Sequence, residues 1–159
     1  MRVTGLKTNL RNANKLTKVA QKTPIYEFRK CGRDIVTYAK ARLVSFPSDG
    51  EEMVERINST RSSIKHKTYG SDSQIITDIT AGGSSKSPMM AAYLEFGTGK
   101  FATSYLNNRP SWVKQWASEF YVDGSGTMKV HAYIYPSIND ALPVMIKRIE
   151  NKINKAWTT

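Results

Sequence analysis

This sequence predicts an α+β fold, in which N-terminal helices and a C-terminal helix pack on a small, mainly antiparallel sheet. Three observations carry the prediction. Both ends repeat apolar residues at helical spacing, the middle holds short β-branched runs, and glycine-rich breaks separate those runs. With 159 residues, of which 40% are hydrophobic and 23% charged, the chain suits one domain with a modest core. Within that domain, 1–159, a basic helical arm (1–22) precedes an α+β body (23–159).

The first helix is expected over 5–22. Leu6, Leu10, Ala13, Leu16 and Ala20 fall on one side, and Lys7, Arg11, Lys15, Lys18 and Lys22 on the other. No acid occurs before Glu27, so this cationic face has no partner of its own. Thr23 then suits an N-cap and Pro24 a first helical position. A second helix follows to about Val44, carried by Ile25, Phe28, Ile35, Ala39 and Leu43, and Phe46-Pro47 ends it. Ser48 and Glu51 stand at capping-box spacing and predict a short helix near 49–58.

Next, "RSSIKHKTYG" alternates weakly and closes on a glycine, and "SQIITDITA" reads as a strand. "GGSSKSP" is a loop, and "MMAAYLEF" reads as a further strand, so the two runs predict a hairpin with an extended tip. "RPSWVKQWASEFYV" puts Trp112, Trp116 and Phe120 on one helical face near 111–122. That face either packs in the core or docks on a neighbour. "MKVHAYIY" alternates and reads as a strand. A last helix carries Leu142, Met145, Ile149 and Ile153 on one face, with Asp140 as N-cap and Pro143 in the first turn.

Little here points to catalysis. Gly99-Lys100 lacks the earlier glycine of a phosphate loop, because position 94 is leucine, and Phe101 stands where Ser or Thr would bind magnesium. His66 and His131 sit in strand-like runs outside any motif, and no metal-ligand spacing occurs. Glu51, Glu52 and Glu55 cluster at a helix start, where the helix dipole accounts for them. Neither a catalytic residue nor a cofactor or metal site is predicted. The single cysteine, Cys31, excludes an intrachain disulfide. No secretory signal is recognised, and no apolar run approaches the roughly 20 residues that span a membrane.

Charge is one-sided. The net charge is +11, and +9 of it lies within residues 1–45. The stripe formed by Lys7, Arg11, Lys15, Lys18 and Lys22 is either a solvated face or the contact for a polyanion or an acidic protein.

Four features in order resemble a known family. They are the helical start; a Pro/Gly break at 47–50 followed by "RSSI" at 61–64; "AAYLEFGTGK"; and Tyr135-Pro136 followed by Ala141-Leu142. Within "AAYLEFGTGK", Tyr93, Glu95, Phe96, Gly97 and Thr98 match a Y-x-E-F-G-T core. Together they resemble the tail-component family of long-tailed bacteriophages, the neck, tail-completion and head–tail joining proteins. The chain departs from that pattern by inserting roughly 25 residues, including the Trp112 helix, between G-T and the last strand.

The resemblance implies a structural protein of the virion, made in the bacterial cytoplasm and placed at the neck or tail end. It would form a homo-oligomeric ring, of roughly six or twelve copies, that joins the head connector to the tail. Its partners would be itself, neighbouring head-closure and tail-tube proteins, and packaged DNA in the lumen. Tyr93, Glu95, Phe96, Gly97 and Thr98, with Gly82 and Gly83 in the loop, are the candidate subunit contacts, Glu95 pairing with a cation at the border. The alternative reading is a small basic nucleic-acid-binding protein.

Overall fold

The computed structural model describes residues 6–44, 50–70, 74–82, 88–118 and 126–158, with residues 6–16, 88 and 158 described by backbone alone. Among the described residues, six helices pack with a two-stranded antiparallel sheet, an α+β fold. In chain order the elements are α1 (Leu6–Val44), α2 (Glu51–Ser63), β1 (Lys65–Gly70), β2 (Ile75–Thr80), α3 (Pro88–Phe96), α4 (Gly99–Asn107), α5 (Ser111–Ser118) and α6 (Ile134–Thr158).

α1 is a single helix of 39 residues, about 58 Å long at 1.5 Å per residue. The two helices expected on either side of Thr23-Pro24 are therefore continuous. Pro24 lies inside α1, and lacking an N–H it leaves the Ala20 carbonyl without its helical donor. α6 runs antiparallel along α1. Glu27 meets Arg148 and Lys152, Asp34 meets Arg148, and Arg42 meets Asp140. Between these contacts Cys31, Ile35, Ala141 and Met145 form a buried seam.

The β ribbon leans on α1. Lys65 pairs with Thr80 and Gly70 with Ile75, in antiparallel register. Gly32 on α1 makes the close approach possible, since a Cβ there would lie 2.7 Å from the His66 ring and 2.9 Å from the Thr77 methyl. Thr68 and Thr77, directly opposed, share a hydrogen bond of 2.9 Å. No further strand pairs with either edge among the described residues.

Three expectations fail here. "MMAAYLEF" is helix α3, not a strand, so residues 81–87 join β2 to a helix and there is no long-tipped hairpin with that segment. "MKVHAYIY" is extended up to Tyr133 but joins no ladder. The last helix begins at Ile134 rather than after Asp140, with Pro136 in its first turn and Pro143 inside it. The short helix near 49–58 exists but runs on to Ser63 behind Gly50; Ser48 and Phe46-Pro47 lie outside the described residues. The aromatic helix ends at Ser118, and Phe120 is also outside them.

Candidate functional site

The E-F-G-T segment sits where α3, α4, the extended 126–133 segment and the start of α6 meet. Glu95, the penultimate residue of α3, is 1% exposed. Its Oε2 accepts the N–H groups of Tyr133 and Ile134, both at 2.7 Å, and its Oε1 accepts that of Tyr135 at 2.9 Å. Those are the orphan donors of a helix N-terminus. Pro136, next in line, has no N–H to satisfy. One carboxylate from 38 to 40 residues earlier thus caps α6, where its charge also suits the positive end of the helix dipole.

Burial pushes the Glu95 carboxyl above its usual range, while the three N–H donors and the Arg109 charge pull it back. The Arg109 guanidinium stacks on the Tyr105 ring at 4.2 Å and faces the Tyr135 ring at 5.1 Å. Tyr133 is wholly buried beside Glu95, and its hydroxyl donates to the Ala91 carbonyl at 3.2 Å. Burial and the nearby Glu95 charge raise its phenol pKa.

The rest of the motif is equally occupied. Phe96 meets Trp116 edge-on, ring centroids 4.8 Å apart. Gly97 adopts φ 74°, where a Cβ would be strained, and that Cβ would also stand 2.8 Å from Val130 and 3.0 Å from the Met128 carbonyl. Its N–H closes α3 on the Tyr93 carbonyl at 2.7 Å. Thr98 clips the extended segment twice. Its N–H donates to the Met128 carbonyl at 3.0 Å, and its Oγ1 accepts the Met128 N–H at 2.9 Å. That second bond explains why Thr98, at the N-cap of α4, makes no side-chain cap. His131 N–H satisfies the Leu94 carbonyl at 2.7 Å.

Glu95 therefore does not pair with a cation at a subunit border. Its partners are backbone groups of its own chain, and Phe96 is core. Tyr93 and Thr98 are half-buried. Gly82, at φ 84°, donates its N–H to Ser63 Oγ at 2.7 Å, and Gly83 lies outside the described residues.

The aromatic face divides. Trp116 packs inward on Phe96, whereas Trp112 is 49% exposed and tilts against Tyr135 at 5.7 Å. A groove of about 410 Å³ between α4 and α5 is lined, among the described residues, by Thr103, Leu106, Asn107, Lys114 and Ser118. Of the cationic stripe, Lys18 and Lys22 are exposed, and the side chains of Lys7, Arg11 and Lys15 lie outside the described residues.

Sequence reasoning missed two features. One is the charge cluster at the α1–α6 seam. Glu27 is 1% exposed, with Lys152 Nζ at 2.6 Å and Arg148 Nε at 2.9 Å, the latter a charge contact without hydrogen-bond alignment. Arg148 also donates to Asp34 at 3.0 Å. Glu27 and Asp34 at i, i+7, and Arg148 and Lys152 at i, i+4, are spacings that could have revealed it. The other is an outward apolar stripe on α6. Only Met145 and Ile149 of the predicted face pack inward; Leu142 and Ile153 join Ile146 and Trp157 on the surface, Trp157 at 74% exposure.

No group of three or more His, Cys, Asp or Glu among the described residues could hold a metal ion, and no described helix is long and apolar enough to cross a membrane. No family model matches the chain, and neither a curated protein nor a solved structure shows significant similarity to it.

Proposed function

We propose that the chain is a structural subunit of a bacteriophage virion, assembling into a homo-oligomeric ring at the neck or tail end that joins the head connector to the tail. The observation that carries this reading is the α6 stripe. Leu142, Ile146, Ile153 and Trp157 are all exposed and follow one another on one side of the longest C-terminal element. A contiguous apolar strip on a small protein marks a contact surface. The ribbon adds two strand edges able to accept a neighbour. The Y-x-E-F-G-T residues support the same reading differently: they build a rigid corner holding three helices, as a ring subunit under load requires. The experiment is the mass of the purified chain in solution, with negative-stain images of any ring. A single-chain mass at every concentration would sink the reading.

A second reading is favoured by the cationic start of α1, where Lys18 and Lys22 are exposed and no acid precedes Glu27. A nucleic-acid-binding protein working alone would bind DNA as a monomer or dimer, with affinity falling steeply as salt rises.

A further inference from the structure

We infer that the N-terminal arm of α1 docks on the exposed α6 stripe of a second copy of this chain. The inference rests on the ring reading and names the contact that would build the ring.

The arm has no α6 beside it. The pairs Glu27–Lys152, Asp34–Arg148 and Arg42–Asp140 fix the antiparallel register, so the last residues of α6 lie level with about residue 22 of α1. The helix nevertheless continues back to Leu6. The first buried residue described on α1 is Thr23; Lys18, Ala20, Gln21 and Lys22 before it are exposed. Among the described side chains of α1, which begin at Thr17, all members of the buried clusters and their packing partners lie at Phe28 or beyond. A continuous helix pointing away from the end of α6 cannot fold back onto its own stripe, so the occupant must come from another copy.

The two surfaces match in period and length. Sequence positions Leu6, Leu10, Ala13 and Ala20 share one face of the arm and span 14 residues, about 21 Å. On α6, the exposed Leu142, Ile146, Ile153 and Trp157 follow at spacings of four, seven and four, about 22 Å end to end. Both follow the repeat by which two helices pack side by side. The alanines of the arm would let bulky Ile146, Ile153 and Trp157 approach closely, leaving the cationic face turned outward. Arm and stripe are different patches, so the contact is head-to-tail and propagates until the rotation closes.

The test uses the full-length chain, with Leu10→Glu in the arm and Ile153→Glu in the stripe, each at an unchanged melting temperature. Native mass spectrometry is expected to give a ring for the wild type and 17.9 kDa for either variant alone. Mixed one to one, the variants retain a single good arm facing a single good stripe and should form a dimer of twice that mass. A Leu10→Glu chain that keeps the wild-type mass overturns the docking and leaves the ring reading intact. A wild type that is itself monomeric overturns both. Lys18→Glu/Lys22→Glu is expected to keep the wild-type mass, because those cations stand on the face away from the contact; a fall to 17.9 kDa in that variant overturns this orientation of the docking.

Discussion

Glu95 fixes where α6 begins. Replacing it with alanine strands three buried backbone N–H groups, each worth roughly 1–3 kcal/mol when left unsatisfied. The expected loss on chemical denaturation is about 3 kcal/mol or more. Glu95→Gln keeps the shape but offers one acceptor oxygen and turns an amide N–H₂ toward a donor, and should lose about 2 kcal/mol. Tyr105 supplies a pH signature. Burial chiefly, with the Glu95 charge, pushes its phenol from 10 up to about 12. Between those values the unfolded chain releases this proton and the folded chain holds it. Stability should therefore fall as pH rises from about 10 to about 12. Denaturation midpoints across that window, compared with Tyr105→Phe, check it: the variant's decline should be shallower. Glu95 stood out in the sequence only as part of the Y-x-E-F-G-T core. Its role was not legible, because its donors lie 38 to 40 residues away and no local pattern links them.

The elements were legible where one face meets water. α1, α2 and most of α6 alternate buried and exposed positions, and their periods show in the sequence; β2 shows instead through its β-branched residues. α3 does not alternate: Met90, Ala91, Ala92, Leu94, Glu95 and Phe96 are all buried. A short helix apolar on every side has no 3.6-residue signal and looks like a buried strand. The 126–133 segment alternates as a strand does, but its hydrogen bonds go to the ends of helices. Pro143 drew the expected start of α6 toward itself, though the true first turn is marked by Pro136. At the α1–α6 seam, Arg148→Ala removes one partner from Glu27 and the partner of Asp34. Breaking a buried pair costs about 3–5 kcal/mol. Lys152 still serves Glu27, so a loss near 3 kcal/mol is expected from urea denaturation.

For the whole molecule, the one-sided charge and the outward apolar stripe make different demands on a partner. Charge reversal of the arm (Lys7, Arg11, Lys15 and Lys18 to Glu) should leave the proposed ring intact, because helical periodicity sets these positions opposite Leu6 and Leu10, which the proposed contact uses. DNA retained by the wild type at low salt should be lost, and a ring that dissociates instead would show the cations to be part of the subunit contact. The α+β class and the helical ends were readable from composition and period alone. The surface that would meet another subunit was not, because a stripe 100° from the core-facing one looks the same in sequence until the core side is known.

Two acids, Glu27 and Glu95, are buried among the described residues, and both precede their partners in the chain: Arg148 and Lys152 for one, the 133–135 amides for the other. A nascent polypeptide leaving the ribosome would carry both charges with only water to solvate them until α6 emerged. Compaction is thereby postponed until that helix is made, and a product cut short before it would stay open to proteases.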